Sequence, residues 1–117
     1  MSKAKCFEDL RIWQEARQLV KQIYTDFREI RDYGFKDQIQ RAGVSVMNNI
    51  AEGFERNSDA DFARFLNMAK GSAGEVRSMS YSAEDLGYVG VEIALERRHA
   101  AKAISQGIGA LEGYLRK

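Results

Sequence analysis

Not one proline interrupts the 117 residues of this chain. A chain of average composition carries about 5% proline, so about six are expected at this length. A proline ring removes a backbone donor and clashes with the preceding turn, so its absence leaves long helices as the default local structure. Four periodic stretches follow that default. Between 7 and 32, Leu10, Trp13, Ala16, Val20, Ile23, Phe27 and Ile30 recur every three or four residues, which places them on one helical face. Ile39, Ala42, Val46, Ile50 and Phe54 repeat the rhythm between 36 and 56. Phe62, Leu66, Ala69, Ala73, Val76 and Ala83 carry it between 60 and 86, and Ala94, Ala101, Ile104, Ile108, Leu111 and Leu115 between 91 and 115. Glycine supplies a stop at Tyr33-Gly34 and again at Gly87 and Gly90, while Ser58 or Asp59 can cap the third stretch. No alternating, strand-type pattern competes.

Connections this short make consecutive helices antiparallel. The expected fold is all-α, an antiparallel up-down-up-down four-helix bundle. One domain over 7–117 is expected to follow a flexible N-terminus at 1–6. Hydrophobic residues at 44% suit a folded chain, and no run approaches the roughly 20 apolar residues of a membrane span. The lone cysteine, Cys6, excludes an internal disulfide framework, and Met1 to Cys6 lacks the apolar core of a secretory signal, so a cytoplasmic location is expected.

Chemistry is harder to find. Eighteen Lys and Arg against seventeen Asp and Glu leave a formal charge of +1, which excludes a strongly basic tail. The single histidine, His99, sits at Glu-x-x-His spacing from Glu96, but a di-iron bundle needs two such motifs and two further glutamates. Cys6 has no local histidine or second thiol to activate it. No catalytic residue, metal or cofactor is expected.

Three other patterns are expected to matter. On the second helix Gln38, Arg41, Ser45, Asn49, Glu52 and Arg56 share one side, and with Ser72 and Glu75 of the third they form a structural polar network. Within it, Arg41 can reach Ser45 and Asn49 can reach Glu52. Glycines inside the helical patterns, Gly43, Gly71, Gly74, Gly107 and Gly109, each cost about 1 kcal/mol against alanine and imply close backbone approach. Ala100, Ala103, Gly107 and Ala110 make a second stripe on the last helix, expected at a homo-oligomer interface. Finally, Arg97, Arg98 and Lys102 form a basic patch on that helix, with Lys3, Lys5, Arg116 and Lys117 as flanking support. The third helix, by contrast, is acidic on balance. A patch of this kind suits phosphate and shape recognition of structured RNA or other nucleic acid, not base reading, and Tyr24, Tyr33 and Tyr88 could stack at the bundle's ends. A protein–protein scaffold with no nucleic-acid role is the alternative.

The run from Gln38 to Arg56, Gln-Ile-Gln-Arg-Ala-Gly-Val-Ser-Val-Met-Asn-Asn-Ile-Ala-Glu-Gly-Phe-Glu-Arg, resembles the signature of the four-helix-bundle family of proteins encoded within 23S rRNA intervening sequences. Phe7-Glu8-Asp9-Leu10 with Trp13-Gln14 and Ala16 resembles the family's opening motif, and Phe62 to Leu66 with Ala69 to Ser72 and Glu75 its third-helix motif. Many members carry Phe-Pro after the first helix where this chain has Phe27-Arg28. The family in turn resembles the accessory protein of diversity-generating retroelements. That resemblance implies a homo-oligomer, specifically a pentamer, whose partners are structured RNA and a nucleic-acid-processing protein such as a reverse transcriptase, with no membrane involved.

Overall fold

The periodic stretches become four helices in the computed structural model, which describes residues 4–117: α1 (Arg11–Asp26), α2 (Tyr33–Phe54), α3 (Asp59–Asp85) and α4 (Val91–Leu115). No strand occurs among the described residues. Each helix packs on its neighbours in the chain and α1 returns to α4, while the diagonal pairs do not meet. The result is a four-helix rod of 44 × 20 × 20 Å. Leu19 and Ile23 of α1, Val46 and Ile50 of α2, Leu66 and Val76 of α3, and Ile104 and Ile108 of α4 are fully buried along its axis. Each such side chain contributes about 1.5–3 kcal/mol by leaving water. Buried alanines at 16, 42, 69, 73, 83, 94 and 101 separate them and keep the helices close.

The first stretch is not one continuous helix. Phe7–Asp9 form a short 3-10 turn, and Leu10 is extended (ψ 126°), so α1 begins only at Arg11. At the other end α1 stops at Asp26, and the buried Phe27 leads into a turn in which the Ile30 amide donates to the Phe27 carbonyl at 3.1 Å. Phe27 and Ile30 keep helical spacing because both point inward from a turn, which is why periodicity alone extends α1 to 32.

The stop expected at Tyr33-Gly34 is overturned too. Both residues lie in the first turn of α2, which Asp32 starts as its N-cap, its Oδ1 accepting the Phe35 amide at 3.2 Å. Ser58 caps α3 in the same way, accepting the Asp61 amide at 3.1 Å. Gly87 ends α3 at φ +73°, the left-handed conformation, with Tyr88 N–H donating to the Ala83 carbonyl and Gly87 N–H to that of Glu84. This places Tyr88 beside the α1–α2 turn, where its ring meets Phe35 edge-on and its hydroxyl donates to Asp32 Oδ2 at 2.6 Å. The two turns at this end of the rod are thereby tied together. Accepting from Tyr88 and Phe35 holds the Asp32 carboxyl below its ordinary range, and the same bond pushes the Tyr88 phenol up.

Close approach explains only some of the helical glycines. A Cβ at Gly107 would stand 2.6 Å from Ile12 Cγ2, and one at Gly43 would meet Ile23 Cδ1 at 3.0 Å. Gly53 marks a close α2–α3 approach, with a Cβ placed 2.7 Å from that of Phe65. Around Gly71, Gly74 and Gly109 there is open space instead.

Two substitutions test this division. Gly107→Ala is expected to lower the unfolding free energy by about 1 kcal/mol, because forcing Ile12 aside costs about 1–3 kcal/mol and the gain in helix propensity offsets only part of it. Gly109→Ala, which meets nothing, is expected to raise it by up to about 1 kcal/mol. Urea titration of both variants measures the contrast. The Asp32–Tyr88 bond gives a pH signature: the depressed Asp32 makes its contribution above about pH 4 and loses it as pH falls through its folded value, and the raised Tyr88 makes its contribution below about pH 10 and loses it as pH rises through its own. Tyr88→Phe should lower Tm within that window and move the Asp32 carboxyl up toward its ordinary range, read by NMR, with the Phe35 amide still holding part of the depression.

Candidate nucleic-acid interface

Helix α4 positions the expected basic patch, but its neighbours claim most of it. Arg97 turns inward and forms a two-point ion pair with Asp26 of α1, Nε to Oδ2 at 2.6 Å and Nη2 to Oδ1 at 3.0 Å. The side chains retain only 12% and 8% of their exposure. The bond to Asp26 holds the Arg97 guanidinium above its already high range, so it is permanently charged. Arg97 is therefore a structural residue, and its expected place in a phosphate-binding surface is corrected. Arg98 is also engaged: Nη1 meets Glu84 Oε1 at 3.0 Å, and the guanidinium lies 4.1 Å over the Tyr81 ring. Lys102 is exposed. Of the flanking residues, Arg116 reaches Glu112 at 3.6 Å, Lys5 and Lys117 are exposed, and Lys3 lies outside the described residues.

The Arg98 contact fixes the register between α3 and α4. One turn beyond it, α4 presents Lys102, and one turn from Tyr81 in the same direction α3 presents Arg77, with Lys70 two turns further on. All three are exposed, and none has a carboxylate three or four residues away on its own helix. Several other exposed cations are neutralised locally, as in Arg11–Glu15 at 3.1 Å, Arg41–Asp37 at 2.7 Å, Arg56–Glu52 at 2.7 Å and Arg64–Asp61 at 2.8 Å. Counting charge by element hid Arg77 and Lys70, because the acids that make α3 negative on balance sit at its first turn, toward α2, beside Arg98 or, as Asp85, at its last residue. The missing i±3 and i±4 partners are the signal that could have found them.

The polar stripe resolves into separate contacts. Gln38 Nε2 donates to Glu75 Oε2 at 2.9 Å and the Ser45 and Ser72 hydroxyls meet at 2.8 Å, both spanning α2 and α3. Asn49 Nδ2 donates to the Ser45 carbonyl at 2.9 Å and to its hydroxyl at 3.0 Å. The two pairings expected within α2 do not form: Arg41 takes Asp37 and Glu52 takes Arg56, because a carboxylate–guanidinium pair at i,i+4 outcompetes a neutral hydroxyl or amide.

The small-residue stripe is divided as well. Ala100 packs against the core and Gly107 receives Ile12 within the same chain, so part of the expected intersubunit surface is used inside the bundle. Ala103 and Ala110 remain exposed on the wall of an apolar groove of about 420 Å³ between α1 and α4, floored by Leu10, Ile12 and Leu111.

For catalysis the geometry offers little. His99 is exposed, and Glu96 turns toward Arg97 at 3.5 Å. Burial, with Asp9 and Glu8 beside it, pushes the Cys6 thiol up, away from the reactive thiolate. Among the described residues no three His, Cys, Asp or Glu side chains converge to hold a metal, and no helix is long and apolar enough to cross a membrane.

Comparison with known proteins places this architecture. The sequence profile of the 23S rRNA-intervening sequence protein family matches residues 8–110, and the chain belongs to that family. A crystal structure of a protein of unknown function from the S23 ribosomal protein family of Bacteroides thetaiotaomicron has the same fold, with a TM-score of 0.79 at 22% identity over 91% of this chain and 99% of that one. No curated protein matches the chain.

The Arg97–Asp26 pair carries a stability prediction that separates it from any binding role. Arg97→Ala strands a buried carboxylate and is expected to cost about 3–5 kcal/mol in urea unfolding, whereas Arg97→Met combined with Asp26→Leu should recover most of the loss.

Proposed function

We propose that this chain is a non-catalytic, self-associating helical adaptor that binds structured RNA through a basic surface. The observation that supports this reading is the α3–α4 seam, where Lys102, Arg77 and Lys70 are exposed without a carboxylate at helical spacing. Like charges on adjacent turns weaken a bundle slightly. A polyanion reverses that penalty, because each neutralised phosphate releases condensed counterions. Arg98, steered by Glu84 and Tyr81, borders the same strip. The seam offers cations, which suits contact with phosphates and helix shape.

Self-association is supported by Ala103 and Ala110 on the α1–α4 groove, whose small side chains admit a second helix at close range. Copies in a closed assembly would present the seam repeatedly to one RNA and raise avidity without new contacts. The groove also favours the second reading, a scaffold for protein partners alone.

Titration of labelled structured RNA and duplex DNA over a salt series, with oligomer mass measured in parallel, tests the proposal. The intact protein is expected to bind with a steep salt dependence, and Lys70→Ala, Arg77→Ala and Lys102→Ala together should weaken binding and reduce the log–log slope by about 2–3 while the oligomer is unchanged. Absence of binding at low salt, or an unaltered slope in the triple variant, would leave the scaffold reading.

A further inference from the structure

A second surface shows a related charge pattern. The outward face of α1 presents Arg17, Gln18, Lys21 and Tyr24, and the following turn adds Arg28 beside a single carboxylate, Glu29; all are exposed. The two carboxylates of α1 itself point elsewhere. Glu15 is held by Arg11 at 3.1 Å and Asp26 by the buried Arg97. Asp32, four residues past Arg28, is occupied by the Tyr88 hydroxyl and the Phe35 amide. Arg17 lies 5.8 Å over the Trp13 ring, which orients its guanidinium along the helix surface without neutralising it. At the turn, Lys36 Nζ donates to the Arg28 carbonyl at 2.9 Å and adds a further cation.

Spacing and chemistry indicate the ligand. Arg17 and Lys21 are about 6 Å apart along the helix, and Arg28 follows in the turn beyond Asp26. A duplex with one phosphate charge per about 1.7 Å of axis can meet all three in a single pass. The amide of Gln18 is of the kind that contacts phosphates and sugars, and Tyr24, 45% exposed, offers a ring at the edge of the row. The apolar stripe of α1 is buried in the core, which leaves nothing on this helix to enter a lipid surface. Because α1 and α3 lie across the diagonal of the bundle and their backbones do not approach, this face and the α3–α4 seam point in different directions.

We propose that the outer face of α1 is a second phosphodiester-binding surface, so that one chain holds two nucleic-acid segments on different sides of the bundle. Having two such faces makes the adaptor a bridge between duplexes. The inference rests on nucleic-acid binding by this chain, and its failure can be told apart from the failure of that reading.

The test is the stoichiometry of a ten-base-pair RNA duplex per chain, measured at low salt by calorimetry. Two duplexes per chain are expected for the intact protein. One is expected for Arg17→Gln, Lys21→Gln and Arg28→Gln combined, and one for Lys70→Gln, Arg77→Gln and Lys102→Gln combined. Two duplexes with different fluorophores should be brought together by the intact protein at least tenfold more than by the α1 variant. One duplex per chain, unchanged by the α1 substitutions and abolished by the seam substitutions, overturns the second surface and leaves RNA binding standing. No binding by the intact protein overturns both. Retained binding to α1 when the seam is neutralised supports the second surface even if the seam itself contributes nothing.

Discussion

The seam between α1 and α4 closes the bundle, and two features separated along the rod secure it. Near one end Gly107 lacks the Cβ that would collide with Ile12, so the two backbones approach closely. Toward the other, Arg97 reaches across 71 positions of sequence to Asp26 and forms the most enclosed ion pair described in the chain. The helices α2, α3 and α4 are long and pack extensively on their chain neighbours, but α1 has only 16 residues and would leave one side of the core open if it detached. A doubly hydrogen-bonded guanidinium and carboxylate specify one register of α1 on α4, because any sliding strands a buried charge.

That requirement also governs where positive charge remains available. Drawing Arg97 inward for closure takes it out of the surface, and Arg98 is turned toward α3 by Glu84 and the Tyr81 ring. What α4 leaves exposed is Lys102, and α3 supplies its companions. On α1 the logic runs the other way: its only carboxylates serve Arg11 and Arg97, so the outward face keeps its cations unopposed. A chain of nearly zero net charge thus acquires two locally basic faces by directing many of its acids to helix starts, to pairs along a helix and to pairs between helices. Net charge does not reveal such a distribution, since a polyanion responds to the charges within a Debye length of about 8–10 Å.

Much of the architecture was legible in the residues themselves. The bounds of α4, the Ser58 cap and the glycine termination of α3 all follow from signals contained within a turn or two of chain. The first helix was not legible at its ends. Phe7 and Leu10 keep a spacing of three that a 3-10 turn satisfies as well as an α-helix, and Phe27 and Ile30 face the core from a turn. The glycines show a similar limit. Their count inside helices signals close approach somewhere, but Gly107 and Gly71 have the same intrinsic cost, and only the neighbour across the interface distinguishes a contact from open space.

The sequence by itself determined the number and order of the helices, their antiparallel connection and the family to which the chain belongs, because apolar periodicity, capping and motif order are properties of residues close in the chain. Only the tertiary structure decided which arginines are structural and which cations face solvent. Those assignments depend on partners tens of residues away, Asp26 for Arg97, Glu84 and Tyr81 for Arg98, Ile12 for Gly107. Their identity is set by the register at which four helices lock together, and register is a product of packing that no local pattern encodes.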